Sequence, residues 1–176
     1  MELKILKEPI TRADCVFLDR FRFPNGREFP LSYKEFAKHY GYGLLCNLFL
    51  IYVPLGEYCD SWSCQSVTLK HTFNEFISND WYLTLNPDGN ESLIRNAVPF
   101  GKSENGDSLF WDIFSEPKED EFEIYVTDFG GLGVLKIADS LDEFVKEITA
   151  DNPSERVSAI PHSLPAVFSP IKICNE

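Results

Sequence analysis

The sequence has no long run of apolar residues. Its longest apolar stretch, Leu44 to Leu55, is interrupted by Asn47 and Pro54, whereas a membrane-spanning helix needs about 20 apolar residues. The opening residues Met1-Glu2-Leu3-Lys4 also lack the apolar segment of a standard secretion signal. We therefore expect a cytoplasmic protein that does not associate with a membrane.

Cysteines are few and scattered. The five thiols, an odd number, lie at Cys15, Cys46, Cys59, Cys64 and Cys174, which is typical of reduced thiols in a cytosolic protein and not of a disulfide framework. Cys59 and Cys64, with His71 downstream, suggest a metal site at first sight. Zinc sites use four nitrogen or sulfur ligands in closer pairs, and the sequence has no second cysteine pair. We therefore predict no metal ligands and no cofactor.

Recognisable catalytic patterns are missing as well. The three histidines, His39, His71 and His162, lie far apart, with no Ser, Cys or Asp arranged near them as a triad. The glycines at 130, 131 and 133 lack the Lys-Ser/Thr pair and the following helix of a phosphate-binding loop, so we interpret them as a turn. Acidic pairs arise easily by chance in so acidic a chain. We predict no catalytic residues. An enzyme with a carboxylate site remains a hypothesis that ranks below the two binding functions described below.

Basic side chains are scarce. The chain has 16 Lys and Arg against 28 Asp and Glu, a net charge of −12. Residues 101–150 alone carry thirteen carboxylates and four lysines. Such a surface repels nucleic acid and would speed association with a basic protein. An acidic surface also keeps many proteins soluble, which is the ordinary explanation.

The first half of the chain predicts two helices and a buried strand. Ser32 and Glu35 have the spacing of a capping box, which predicts a helix over about residues 33–40. The nearly continuous apolar stretch from Leu44 to Val53 predicts one buried strand. Apolar residues at helical spacing predict a second helix that begins at 65 or 66 and ends near 79.

The second half predicts an antiparallel meander. Alternating or apolar runs predict strands over residues 93–100, 109–114, 122–129 and 133–137. Asn105-Gly106 lies between the first two runs, and this dipeptide is a strong signal for a hairpin over Pro99 to Asp112. Ser140 and Glu143 form a second capping box at the start of an amphipathic helix that ends at Ala150. The tail, with prolines at 161, 165 and 170, is expected to be extended across the surface.

A series of short motifs in this order resembles the SUKH superfamily, immunity-type proteins that also include fungal regulators of cell-wall glucan synthesis. The resemblance covers roughly Phe29 to Ala150. The motifs are Phe29 to Phe36, Tyr40 to Gly43, Phe49 to Pro54, Pro99 to Gly101 with Asn105 to Asp107 and Phe110 to Asp112, Ile124 to Asp128, and the helix Ser140 to Ile148.

The resemblance implies a single α+β domain, taken as residues 1–176, with a mostly antiparallel sheet of about five or six strands flanked by helices. It further implies a non-enzymatic bacterial immunity protein, which binds and neutralises a cognate toxin domain in the cytoplasm. The expected partner is a basic nuclease domain. The alternative is a regulatory or scaffolding module that binds an endogenous protein. Neither function requires binding to nucleic acid or to a membrane.

Candidate partner-binding residues come from the acidic region. If the strand after Asn105-Gly106 is regular, Phe110 and Trp111 point to opposite faces. One of them is then core, and the other either is an exposed aromatic anchor beside Asp107 and Asp112 or is also covered by helices, in which case Trp111 is structural. The full candidate set is Asp107, Trp111, Asp112, Glu119, Asp120, Glu121, Glu123 and Asp128.

Overall fold

The computed structural model describes residues 2–8, 11–151 and 163–173. Its centre is one sheet of eight strands in the order β1-β8-β2-β3-β4-β5-β6-β7. Neighbouring strands are antiparallel except β1 and β8, which are parallel. The strands are β1 Lys4–Ile5, β2 Gly43–Leu45, β3 Phe49–Ile51, β4 Val98–Ser103, β5 Ser108–Asp112, β6 Glu123–Thr127, β7 Val134–Ala138 and β8 Val167–Pro170.

Helices cover both faces of the sheet. They are α1 Cys15–Arg20, α2 Leu31–His39, α3 Trp62–Ser78, α4 Glu91–Asn96 and α5 Leu141–Thr149. The larger core forms where α1, α2 and α5 pack on one face. The smaller core forms where α3 and α4 pack on the other face against β5, β6 and β7. The predicted α+β class is therefore confirmed, as are a largely antiparallel sheet and flanking helices.

The predicted number of strands was wrong. Residues 44–53 form two strands, because the chain reverses at Cys46 and Asn47, whose φ angles are 52° and 58°. The Leu48 N–H donates to the Leu45 carbonyl at 3.0 Å, which closes a tight turn. Positive φ at both central residues is the geometry that suits a two-residue hairpin turn. Without a glycine at this turn, the apolar run hides it in the sequence.

The terminal segments supply two further strands. The tail was expected to lie across the surface, yet β8 is inserted between β1 and β2, and Phe168 is fully buried. The prolines at 165 and 170 fall in the described tail segment, whereas Pro161 lies outside the described residues.

The prediction of a strand over residues 93–100 was wrong for its first part. These first residues belong to helix α4, whose Asn90 cap accepts a hydrogen bond from the Leu93 N–H at 2.9 Å.

The predicted central hairpin is confirmed as β4 and β5. Its turn has the Gly106 N–H donating to the Ser103 carbonyl at 3.1 Å, and Gly106 has a φ of 99°. Gly106 therefore supplies the left-handed residue that a three-residue hairpin loop requires. Asp107 accepts a hydrogen bond from the Ser103 hydroxyl at 2.6 Å, which ties the two ends of the loop together.

The glycines at 130, 131 and 133 lie in the connection between β6 and β7, as the turn interpretation predicts. The Gly133 N–H donates to the Gly130 carbonyl at 3.3 Å. Gly133 has a φ of 70°, and a Cβ there would lie 2.0 Å from the Asn86 carbonyl oxygen. Only glycine fits this position.

The capping box predicted at Ser32 was wrong. Helix α2 begins at Leu31, after Pro30, which makes no side-chain cap. Ser32 lies within the first turn, and its N–H and hydroxyl both donate to the carboxylate of Glu121 at 2.8 Å. The Leu31 N–H donates to the Asp120 carbonyl at 2.9 Å. A distant segment therefore satisfies the helix N–H groups that a local cap normally would.

The second predicted capping box does begin a helix. The Ser140 hydroxyl accepts from the Glu143 N–H at 3.2 Å, and Glu143 accepts in return from the Asp139 N–H at 3.1 Å. In the usual capping box, the glutamate accepts from the N–H of the cap residue itself, whereas Glu143 accepts from the N–H of the residue before the cap. The apolar face of α5 is buried, as predicted.

Candidate functional site: the acidic end of the sheet

The predicted site residues separate to two ends of the sheet. In the β5–β6 ladder, Ser108 pairs with Thr127 at one end, and Asp112 pairs with Glu123 at the other. Asp107 and Asp128 lie just beyond the first pair. Asp107 and Asp128 therefore lie about 17 Å along the strands from Asp112 and Glu123, too far for one small site.

One end carries most of the carboxylates, and we call it the acidic end. It comprises the end of β5, the connection between β5 and β6, the start of β6, the end of β7 and the first turn of α5. Its members are Asp112, Glu119, Asp120, Glu123, Asp139, Asp142 and Glu143. Four of them, Asp112, Glu119, Asp120 and Glu123, were predicted from sequence.

Lys136 of β7 pairs with a carboxylate of β6 and with one that directly follows β7. Its ammonium lies 2.5 Å from the Glu123 carboxylate and 2.8 Å from that of Asp139. Although partial burial lowers the pKa of Lys136, the hydrogen bonds to these carboxylates outweigh burial and raise it. The Tyr125 hydroxyl donates to Glu123 at 2.7 Å, and burial together with Glu123 raises the pKa of Tyr125. This part of the acidic end is consequently ordered and partly neutralised.

The β5–β6 connection is held by contacts with other elements. Lys118 forms an ion pair with Glu143, a hydrogen bond that raises the pKa of Lys118. The Arg27 guanidinium donates to the carbonyls of Ser115 and Glu121 and lies 4.2 Å from the centre of the Phe122 ring. The connection therefore contacts the first turns of both α2 and α5, and its Glu119 and Asp120 are exposed. Asp120 also lines a pocket with Arg22, Arg27 and Lys34.

Both aromatics of the Phe110-Trp111 pair are buried, including the predicted site residue Trp111. Trp111 is 1% exposed and stacks on Phe100 at a centroid distance of 4.1 Å. Phe110, on the opposite face, is fully buried against Phe73 and Tyr125. Of the two alternatives for this pair, an exposed anchor or two covered aromatics, the structure has the second, because helices cover both faces of the sheet. In this structure Trp111 is a core residue.

Glu121 is also buried, at 8% exposure. Its carboxylate faces the first turn of α2, where it accepts the two hydrogen bonds from Ser32. Burial raises the pKa of Glu121, and the nearby charge of Asp142 raises it further, while the bonds from Ser32 oppose the rise. Glu121 therefore stabilises the fold beneath the acidic end and does not form part of its surface.

Asp107 and Asp128 are occupied in local turns. Asp107 binds the Ser103 hydroxyl, and Asp128 accepts from the Gly130 N–H at 2.7 Å. Such side-chain turns are a common use of aspartate at the ends of strands. These two residues form a second, smaller acidic area at the hairpin end.

Asp139, Asp142 and Glu143 were missed as site residues. The capping pattern at Ser140 located the helix, and acidic residues in a first helical turn complement the helix dipole. No sequence pattern indicates that the β5–β6 connection lies against this turn. The pairing depends on the Lys118 contact and on the position of α5 over the sheet.

The chemistry available at the acidic end is that of clustered carboxylates next to two lysines. Among residues 2–8, 11–151 and 163–173, no group of three or more His, Cys, Asp or Glu side chains has a geometry suited to a metal ion. A surface of this kind attracts cationic groups over some distance and can form ion pairs with them. It therefore suits a basic protein surface.

A comparison with known protein families finds a match to this chain. The family model SUKH_6, described as SMI1-KNR4 cell-wall, matches residues 25–145, which is more than half of the sequence. The chain belongs to the SUKH_6 family. The resemblance to the SUKH superfamily predicted from the motifs is confirmed. No curated protein and no solved structure matches the chain significantly.

The SUKH_6 match contains all seven carboxylates of the acidic end. It begins before α2 and ends within α5, so the β5–β6 connection and the first turn of α5 both lie inside it. Strands β1 and β8 and helix α1 lie outside the match. In the part of the chain that the structure describes, every helix is too short or too polar to span a lipid bilayer.

Proposed function

We propose that this SUKH_6 protein is a non-enzymatic immunity protein that binds and neutralises a cognate toxin domain in the cytoplasm. The partner that suits it best is a basic nuclease domain, which must itself attract a polyanion. The observation that carries the proposal is the acidic end, where carboxylates from four elements outnumber the two lysines among them.

The electrostatic basis is long-range attraction followed by local pairing. Opposite charge on the two partners raises the association rate, and salt reduces this effect. Glu119 and Asp120 are exposed, whereas Lys136 already pairs with Glu123 and Asp139. We therefore assign the leading role in attraction to the β5–β6 connection, with the ordered carboxylates behind it as a fixed negative field.

The proposal is tested with the protein encoded by the neighbouring toxin gene. Glu119→Lys reverses a charge at the acidic end, and Glu104→Lys makes the same change at an exposed glutamate in the β4–β5 turn, at the hairpin end. We expect Glu119→Lys to slow association severalfold and to weaken its salt dependence, while Glu104→Lys has the smaller effect. Stopped-flow or surface-plasmon measurements at several salt concentrations give both quantities.

Two outcomes would contradict the proposal. If the toxin were neither bound nor inhibited, the immunity function would be refuted. If Glu104→Lys slowed association more than Glu119→Lys, the hairpin end with Asp107 and Asp128 would be the binding surface, and the assignment to the acidic end would be wrong.

The alternative is a regulatory or scaffolding module that binds an endogenous protein. The description of the matching family, which names the cell wall, favours this alternative. A gene with no toxin neighbour, together with recovery of a chromosomally encoded host protein in affinity purification, would support it over the immunity function.

A further inference from the structure

A second surface differs in chemistry from the acidic end. A groove of about 550 Å³ lies between α3, the end of α4 with the start of β4, and the residues that follow β5. Apolar side chains form much of it, namely Val67, Ala97, Val98, Pro99, Ile113 and Phe114. Val67 is 68% exposed and Phe114 is 62% exposed, so the groove displays large apolar groups to solvent.

The polar groups of the groove are cationic or neutral. Lys70, His71 and Arg95 line it together with Asn74 and Asn96, and there is no carboxylate among the described lining residues. This composition is unexpected in a chain whose carboxylates outnumber its Lys and Arg by 28 to 16. The groove therefore has a charge opposite to that of the molecule as a whole.

Lys70 fixes one wall of the groove. Its half-buried ammonium donates to the carbonyls of Ile94 at 3.0 Å, Arg95 at 2.7 Å and Ala97 at 2.7 Å. These carbonyls lie at the end of α4, where a cation is favoured by the helix dipole. The wall is thereby held in place by an amine whose pKa burial lowers to about 8, which leaves it largely protonated at pH 7.

The Arg95 guanidinium and the His71 imidazole have carboxylate partners that a ligand could replace. His71 lies 3.4 Å from Glu75 and Arg95 lies 3.5 Å from Glu91, both as neighbours four residues apart on a helix. All four side chains are about half exposed or more, and exposed pairs of this kind contribute little. A carboxylate presented from above the groove can therefore compete for His71 and Arg95.

We propose that this groove binds an acidic segment of a partner protein, with an apolar side chain of that segment packed on Val67 and Phe114 and its carboxylates facing Lys70, His71 and Arg95. Exposed aromatic and aliphatic groups inside a ring of polar groups are the usual anatomy of a binding hot spot. Charge complementarity selects an acidic segment, because the lining offers cations and amide donors. The groove includes residues 113 and 114, at the start of the β5–β6 connection, but none of the carboxylates of the acidic end. The proposal therefore does not rest on the proposed function.

The test uses short displayed peptides against the full chain. We expect selection to enrich peptides with an aromatic or aliphatic residue flanked by Asp or Glu. For a selected peptide, fluorescence anisotropy should show that Val67→Asp weakens binding by about tenfold or more, since it puts a carboxylate beside an apolar contact. The matched control is Val16→Asp on α1, where a valine 61% exposed lies outside the groove.

Further variants separate the apolar and the charged contributions. Phe114→Ala should weaken peptide binding because it removes an exposed ring. Arg95→Glu should weaken the binding of acidic peptides more than that of neutral peptides. Amide chemical-shift changes on titration should cluster on α3, α4 and residues 113–114. The proposal is overturned if basic peptides or a single-stranded oligonucleotide are bound in preference, if no peptide is enriched, or if Val16→Asp and Val67→Asp act equally.

Discussion

At the scale of single residues, Glu121 is the side chain with the most consequences for the fold. It lies 89 positions from Ser32 in sequence, yet its carboxylate accepts both the N–H and the hydroxyl of that serine. The Ser32 hydroxyl in turn accepts the Leu141 N–H at 3.0 Å. One buried carboxylate thus connects the first turns of α2 and α5 through a single serine.

Removing the Glu121 carboxylate should destabilise the protein. Glu121→Ala leaves the Ser32 N–H and hydroxyl without their partner in a buried position, which typically costs about 1–3 kcal/mol. Glu121→Gln keeps an oxygen that can accept from the Ser32 N–H, so we expect a smaller loss. Urea denaturation of the three proteins, followed by circular dichroism, measures the difference.

The difference in stability between the wild type and Glu121→Gln should also depend on pH. Because burial raises the pKa of Glu121 in the folded protein above its ordinary value of 4.5, its contribution to stability is fully present below pH 4.5. That contribution is lost as the pH rises through the folded-state pKa. Glu121→Gln should therefore gain stability relative to the wild type as the pH rises from 4.5, until a plateau is reached. A difference that is constant with pH would show that the carboxyl group is not perturbed.

At the scale of elements, β8 decides the shape of one half of the sheet. It is antiparallel to β2 and parallel to β1, so it connects the first strand to the rest. Phe168 points into the larger core, where its ring lies 5.6 Å from that of Phe36 and 5.4 Å from that of Tyr40. The segment is thus an integral part of the sheet.

Phe168→Ala should destabilise the protein by about 3–5 kcal/mol, as is usual for a fully buried phenylalanine. Ser169→Ala is the matched control, because Ser169 lies on the same strand but is half-buried. Chemical denaturation gives the stabilities. Amide hydrogen exchange should show early loss of protection at Lys4 and Leu6, whose N–H groups donate to the carbonyls of Ala166 and Phe168. Similar stabilities for the two variants would contradict a structural role for β8.

Elements with strong local signals were predictable from the sequence. The Asn105-Gly106 turn located the β4–β5 hairpin, and Ser140 with its apolar spacing located α5. Each depends on residues that are neighbours in the chain. The approximate position of α3 also followed from its helical spacing, although the helix begins three residues earlier than expected.

The elements and contacts that were missed depend on tertiary structure. The turn at Cys46-Asn47 is fixed by pairing between β2 and β3, and β8 is a strand only because β1 and β2 flank it. Ser32 matches a local capping pattern, yet its N–H and hydroxyl donate to Glu121, which lies in a distant part of the sequence. For the same reason, the sequence located the acidic region but could not separate the surface carboxylates from the buried Glu121.

At the scale of the whole molecule, the net charge of −12 opposes compaction, because like charges repel. We expect the free energy of unfolding at pH 7, measured in urea, to rise when NaCl is added, since salt screens this repulsion. Near pH 4.7, the isoelectric point calculated from the sequence, the increase should disappear. A fall in stability with salt at pH 7 would mean that ion pairs such as those of Lys136 outweigh the overall repulsion.

The position of β8 between β1 and β2 also determines when the sheet can be completed during synthesis. Lys4–Ile5 is synthesised long before Val167–Pro170, its strand partner in the described structure. Contacts over such sequence separation form slowly and leave partly folded chains exposed. Strands β2 to β7 can pair with one another before β8 has been made, whereas β1 must wait for β8. Of the described strands, the one that is made first is therefore among the last to be paired.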